Sequence, residues 1–176
     1  KCKNRLNQQF NPSAPNQVWV SDVTYFRFNN KNYHICAVMD LYARTIIAYK
    51  ISFKNSTQLV KSTFRQAYET RQPQQNLIFH SDRGTNYRSY SFCSYLKSLH
   101  VEQSFSRTHT PYDNSVIESF FSSMKREELY RTKYRSEYEL RKAIDDYVTF
   151  YNTKRHHSKN QNKTPMAKEK EYYSQT

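Results

Sequence analysis

The stretch from Gln17 to Phe28 constrains the fold more than any other part of the chain. Its run Val-Trp-Val-Ser-Asp-Val-Thr-Tyr-Phe-Arg-Phe puts β-branched and aromatic residues on both alternating faces. A strand that is apolar on both sides belongs in the middle of a sheet covered by other layers, not at a solvated edge. Asp22 stands inside this run. A carboxylate in such a strand is expensive unless something cationic meets it.

The remaining pattern surrounds that strand with alternating elements. Asn29 to Asn32 is turn chemistry, Tyr33 to Met39 reads as a second strand, and Asp40 to Arg44 turns into a third at Thr45 to Ser52. Asn55 or Ser56 can cap a helix whose apolar residues Leu59, Val60, Phe64, Ala67 and Tyr68 keep helical spacing. Leu77 to Phe79 is a short buried strand running into His80-Ser-Asp-Arg-Gly84. Next come a helix around Tyr90 to Leu99, a strand from His100 to Phe105 and a loop from Ser106 to Tyr112. Asp113 or Asn114 can cap a helix through Glu118 towards Leu129, and Ser136 with Glu139 forms a capping box for the last clear helix. The order βββαβαβαα predicts an α/β fold with a mixed sheet and helices on its faces.

Composition narrows the function classes. With 16 Tyr and 11 Phe, the 176 residues can bury one sizeable core. Apolar stretches stay far below the roughly 18 to 20 residues that span a bilayer, so no membrane partner is expected. Three cysteines without a CxxC pair favour idle thiols in a cytoplasmic protein over a disulfide framework or a zinc site. Average usage would place about 12 glycines in a chain of this length, yet there is one, Gly84. No phosphate-binding glycine loop exists, which argues against ATP and nicotinamide cofactors.

The formal net charge of +13 is spread along the chain, as expected of a body shaped around a polyanion. Its densest patch, Asn152 to Lys163, holds four bases, two histidines and no acid. Nucleic acid is the expected partner. Among the acids, Asp22, Asp82 and Glu118 occupy informative places: inside a central strand, just past a buried strand, and on an aromatic-rich helix. Asp82 and Gly84 fall beyond a strand carboxyl end, where ligands gather in open α/β sheets. Glu118 shares a helix face with Ser122 and Lys125. Three carboxylates brought together repel, and hard divalent cations with oxygen ligands stabilise such a cluster. Two Mg²⁺ or Mn²⁺ ions would suit phosphodiester chemistry.

Three blocks carry a family resemblance: Trp19-Val-Ser-Asp-Val-Thr-Tyr25, His80-Ser-Asp-Arg-Gly-Thr-Asn-Tyr87 and Tyr112-Asp-Asn-Ser-Val-Ile-Glu-Ser-Phe-Phe-Ser-Ser-Met-Lys125. They resemble the signature blocks of OrfB-type bacterial insertion-sequence transposases, whose catalytic core is of the retroviral-integrase kind. The 35 residues between Asp82 and Glu118 match the D,D-35-E spacing of that family. Tyr151-Asn152, Arg155, His157 and Thr164-Pro165 resemble its C-terminal block. The resemblance implies a ribonuclease-H-like fold with a five-stranded mixed sheet and a metal-dependent DNA strand cleavage and strand transfer activity. It implies Asp22, Asp82 and Glu118 as metal ligands and Gly84 as the tight turn after the second of them. It also implies that Lys125 grips DNA phosphate near the scissile bond while Lys154, Arg155 and His157 hold flanking backbone. Element ends and target would be the DNA substrates, and a homo-oligomer would assemble on them in the nucleoid.

The expected organisation is a linker over residues 1–16 from an upstream DNA-binding region, a catalytic core over 17–153 and a basic C-terminal extension over 154–176. Two departures from the family pattern stand out. Thr108-His109 replaces a basic residue and Gly, and Asn160-Gln161 replaces a Leu-Gly pair, which would remove a turn and an apolar anchor. The competing readings are a nuclease of the same fold and a noncatalytic DNA-binding remnant. His80 is expected to pack or orient rather than act as a base, and adjacent His156 and His157 make an improbable metal pair.

Overall fold

The structure, a computed structural model, describes residues 11–74, 76–106 and 114–175. Within them, β1 (Val18–Phe28), β2 (Lys31–Asp40), β3 (Thr45–Ser52), β4 (Ile78–Ser81) and β5 (Glu102–Phe105) form a five-stranded sheet of order β3-β2-β1-β4-β5. β1 pairs antiparallel with β2 and parallel with β4, so the sheet is mixed and β1 is central, as its two-sided apolar pattern requires. The helices are α1 (Thr57–Arg71), α2 (Tyr90–Ser98), α3 (Ser115–Met124), α4 (Glu137–Thr153) and α5 (Pro165–Gln175). No described helix is long and apolar enough to cross a membrane.

Strand alternation divides the core into two layers. Val18 and Val20 share one cluster with Ile35, Ala37, Ile117, Phe120 and the apolar stripe of α4, Leu140, Ile144 and Tyr147. Trp19 turns to the opposite face, where Cys36, Val38, Phe64 of α1 and Phe92 of α2 pack. Asp22 has the parity of Val18 and Val20, so it belongs to the face covered by α3. Burial on both faces ends there: Val18 to Ser21 are buried, whereas the strand beyond is intermediate or exposed.

Local chemistry explains the boundaries. Ser56 caps α1 by accepting the Leu59 N–H at 3.2 Å, and Ser136 caps α4 by accepting that of Glu139. The Glu139 carboxylate returns to the Arg135 N–H at 2.8 Å, one residue before the cap. With no glycine at these positions, asparagine supplies several of the left-handed turns, at Asn16, Asn29, Asn30, Asn76 and Asn162, where its short polar side chain tolerates positive φ. The buried Asp40 carboxylate accepts the N–H groups of Asn16 and Tyr42, tying the entry of β1 to the β2–β3 turn.

Three elements differ from sequence expectation. β4 continues through His80 and Ser81, because both are fully buried between β1 and β5. The helix of Glu118 passes into a π-helical turn at Lys125–Leu129, closed by the Tyr130 N–H on the Lys125 carbonyl at 2.9 Å. The extra residue rotates the end of the helix; in this register Leu129 is buried and Glu127 faces Arg155. The residues after Thr153, expected as a basic extension, are packed onto the body: Glu169 of α5 takes Arg71 at 2.9 Å and the Lys168 ammonium reaches the Tyr42 carbonyl at 2.6 Å. The turn at Asn160-Gln161 is retained, since Gln161 adopts the left-handed conformation at φ 56°. Asn160 is a buried polar anchor, donating to the Ala43 carbonyl at 2.7 Å.

Candidate active site

Parallel pairing of β1 with β4 runs from Val18 opposite Ile78 to Ser21 opposite Ser81. Asp22 and Asp82 are therefore the next residues on two neighbouring strands at the level where their pairing stops. Strand ends of this kind are where ligands gather in open α/β sheets. α3 approaches from the face of Asp22, and the Asn114 side-chain amide at its start donates to the Ser21 carbonyl at 3.3 Å. Asn114 occupies the helix cap position but makes no capping hydrogen bond, being used instead to dock α3 beside Asp22. Asp113 and Thr108-His109 lie outside the described residues.

Asp22 is affected by both other acids. Burial, opposed by the Val23 N–H, pushes the Asp22 carboxyl up to about 7, with Asp82 and Glu118 adding to the rise and the Lys125 ammonium opposing it. Glu118 is also raised, first by burial and then by Asp82. Asp22 accepts the Val23 N–H at 2.7 Å through one oxygen, and Asp82 accepts the Gly84 N–H at 2.9 Å through one oxygen. Among the described residues Glu118 has no hydrogen bond or ion pair to offset its charge. An all-carboxylate, oxygen-only donor set with unused oxygens fits a hard divalent cation. As they stand, no three His, Cys, Asp or Glu side chains among the described residues converge closely enough to enclose an ion.

A buried polar frame holds these acids. Ser21 donates to the Ala37 carbonyl at 2.8 Å and accepts, also at 2.8 Å, from the buried Tyr87 hydroxyl. His80 is enclosed between the Ser104 and Ser106 hydroxyls, at 2.8 and 3.2 Å, and Arg83 Nε donates to the Ser106 carbonyl at 2.8 Å. His80 thus ties β4 to β5 and to the residue that follows it. The roles of Ser21, Tyr87 and Asn114 are not apparent from sequence, though all three lie inside the blocks that carry the family resemblance.

Gly84 is required for a reason other than a left-handed backbone, since its φ is not positive. A Cβ placed there would stand 2.9 Å from Asp82 Oδ1. Gly84→Ala is therefore expected to swing the Asp82 carboxylate away from its N–H partner. The expected result is metal affinity reduced by on the order of 10-fold, by analogy with loss of a ligand-orienting contact, with little change in melting temperature; isothermal titration with Mn²⁺ and a thermal melt check both.

The four basic or histidine candidates separate into two places. Lys125 lies beside the acids, its ammonium 5.5 Å from the Tyr25 ring centre and its pKa lowered by burial against the attraction of Asp22. Lys154 is exposed at the end of α4. Arg155 is engaged by Glu127 at 2.8 and 3.1 Å. His157 is buried, edge-on to Tyr151 at 4.6 Å, and burial followed by the charges of Arg155 and Arg44 holds its pKa down to about 4.

The neutral His157 has a measurable consequence. The folded-state value lies below the ordinary 6.5, so the unfolded chain binds the extra proton between pH 6.5 and about 4, and stability falls as pH falls through that window. Acidification from pH 7 to 5 is expected to cost about 2 kcal/mol through this residue. Chemical denaturation of the parent and His157→Phe at both pH values checks it, the variant losing that share of the pH dependence.

An integrase core domain model matches residues 12–111, which include Asp22 and Asp82, and a second integrase core domain model matches residues 99–165, which include Glu118. The chain is 36% identical over 168 residues to the transposase for insertion sequence element IS904 of Lactococcus lactis subsp. lactis (strain IL1403), covering 95% of this chain and 66% of the relative. It is 34% identical over 157 residues to transposase InsF for insertion sequence IS3A of Escherichia coli (strain K12), covering 89% of this chain and 54% of the relative. The chain thus spans between about half and two thirds of these transposases. In fold it is similar to the HTLV-2 integrase catalytic core domain in complex with magnesium, at TM-score 0.71 and 19% identity over 88% of this chain and 97% of that one. The BIV integrase catalytic core domain is similar at TM-score 0.67 and 16% identity, over 91% of this chain and 97% of that one. The sheet order, with helices on both faces, is accordingly the ribonuclease-H-like fold of retroviral integrase cores. With both models in agreement, the chain belongs to the integrase core domain family, and its curated relatives are transposases of insertion sequences.

Proposed function

We propose that the chain is a transposase catalytic core that cleaves DNA strands at insertion-sequence ends and joins the resulting 3′-hydroxyl ends to target DNA. The observation that carries this reading is the placement of Asp22 and Asp82 side by side just past the last β1–β4 pair, with the helix of Glu118 docked there through Asn114 on the Ser21 carbonyl. These three would hold Mg²⁺ or Mn²⁺, up to two ions. Bound ions of this kind activate an attacking water or 3′-hydroxyl and stabilise the leaving oxygen. The chain's own residues supply the rest: the Gly84 N–H orients Asp82, the Val23 N–H orients Asp22, and Lys125 offers an ammonium to the phosphate beside Asp22. The magnesium in the HTLV-2 core is that protein's, and similarity of fold supports the same metal class here.

DNA is the proposed partner, with a homo-oligomer assembled on it because two element ends must meet; the proposed location is the bacterial cytoplasm, at the nucleoid. All three acids are present, Asp22 and Asp82 with their backbone supports, so a noncatalytic DNA-binding remnant is the weaker reading. The test uses labelled duplexes and pre-cut 3′-hydroxyl ends with Mn²⁺ or Mg²⁺. Metal-dependent nicking together with joined products is the expected result. Cleavage with turnover but no joining would replace the reading with a nuclease of the same fold, and DNA binding with no metal-dependent chemistry would sink it in favour of the remnant.

A further inference from the structure

A cleft of about 680 Å³ opens between α3, the end of α4, the 3₁₀ turn Ser158–Asn160 and the β2–β3 turn. Arg44, Arg155, His157 and Lys159 line it, together with Ser119 and Ser123, which stand one turn apart on α3. Its size lies within the usual range of ligand pockets, and its lining combines positive charge with hydroxyl donors.

The charges in this cleft are only partly balanced by the described residues. Arg155 is met by Glu127, but among the described residues Arg44 forms no hydrogen bond or ion pair. Burial lowers the pKa of Arg44, as expected for a guanidinium withdrawn from water without a carboxylate beside it. Arg44 also holds a left-handed backbone at φ 63°, a conformation arginine rarely adopts. His157, 9% exposed, has its Nε2 buried with no hydrogen-bond partner among the described residues. A guanidinium withdrawn from water without a carboxylate, with the Ser119 and Ser123 hydroxyls lining the same cleft, calls for a polar ligand that accepts hydrogen bonds and carries negative charge.

We propose that this cleft is a second anion site, distinct from the three carboxylates, that takes a phosphodiester of a bound DNA strand. The proposal rests on the reading that the chain acts on DNA. Helix α3 links the two sites, presenting Glu118 to the acids and Ser119 and Ser123 to the cleft. A strand held in the cleft would be fixed in position relative to Glu118 without contacting the reacting phosphate. Phosphate contacts of this kind position a duplex and carry no sequence information.

The test compares the parent with Arg44→Asn, chosen because asparagine tolerates the left-handed backbone, and with Lys159→Ala on an exposed side chain. Two probes are used, random-sequence duplex DNA by fluorescence anisotropy across a salt series, and inorganic phosphate by thermal shift against chloride at equal ionic strength. The expected result is that phosphate stabilises the parent but not Arg44→Asn. Each variant is also expected to bind duplex on the order of 3- to 10-fold more weakly, with the log affinity against log salt slope reduced by about 0.9 for each lost contact. Unchanged affinity and slope in both variants would overturn the proposal, as would phosphate protection without any effect on duplex binding, which would indicate a free-phosphate pocket. Parent protein that binds duplex through the cleft yet shows no metal-dependent cleavage would sustain this site while refuting the catalytic reading. Parent protein that binds no duplex would refute the site.

Discussion

Asp22→Asn, Asp82→Asn and Glu118→Gln are each expected to abolish metal-dependent DNA cleavage while leaving the fold and duplex affinity intact. Loss of a ligand from a metal site that stabilises phosphoryl charge costs several kcal/mol at the transition state, a rate reduction on the order of 10³-fold or more. The three substitutions should differ in stability. Asp22 has its carboxyl raised to about 7 from 3.8, chiefly by burial, so without metal its contribution to stability falls as pH rises from about 4 to about 7. Asp22→Asn is therefore expected to raise the metal-free melting temperature at pH 8 and to abolish the further rise that Mg²⁺ produces in the parent. Asp82 and Glu118 are exposed side chains, and their variants should melt close to the parent. Gel-based cleavage assays, paired with thermal melts with and without metal, check both halves. A variant retaining parental cleavage would remove that residue from the proposed ligand set.

Phe64→Ala is expected to produce the largest loss of stability, about 3–5 kcal/mol. Phe64 is fully buried at 0% exposure in the layer under α1. Its ring centre lies 6.1 Å from Trp19, 4.9 Å from Phe79, 5.9 Å from Phe92 and 6.0 Å from Tyr95. These partners come from β1, β4 and α2, so the ring joins the central strand to the strand that leads into Asp82. Removing it leaves a cavity that several rigid rings cannot collapse to fill. Equilibrium urea denaturation gives the cost directly; a loss below about 1 kcal/mol would mean that the layer repacks. Because the cavity opens behind β4, metal affinity should also fall in protein that remains folded, through displacement of Asp82.

The two kinds of substitution probe different information in the chain. Periodicity and capping operate over a few residues, which is why β1, β3, α1 and α4 are legible from sequence: alternation, turn residues and the Ser56 and Ser136 caps all lie within or next to the element they define. The three acids are legible because their spacing belongs to a family pattern. The strand-end geometry that gathers them is not local, since it depends on Ser21 standing opposite Ser81 across the sheet. Gly84 is conspicuous in the sequence as the lone glycine, but its purpose, space for Asp82, requires the folded turn.

The C-terminal part shows the other side. Arg155 and His157 look like DNA contacts when read as members of a basic patch. The fold shows how they are held: Arg155 is engaged by Glu127 and His157 is buried, while Arg44, more than a hundred positions earlier, lines the same cleft. Asn160 reads as the loss of an apolar anchor until its amide is seen to meet the Ala43 carbonyl.

By itself, then, the sequence determined the central strand, the alternation of elements, the three acids and the basic character of the surface, because each is written in local pattern or in spacing along the chain. Only the tertiary structure decided which charges are paired, which histidine is buried and where β4 stops. Those outcomes depend on desolvation and on hydrogen-bond partners supplied by residues far apart in sequence, and no local pattern encodes them.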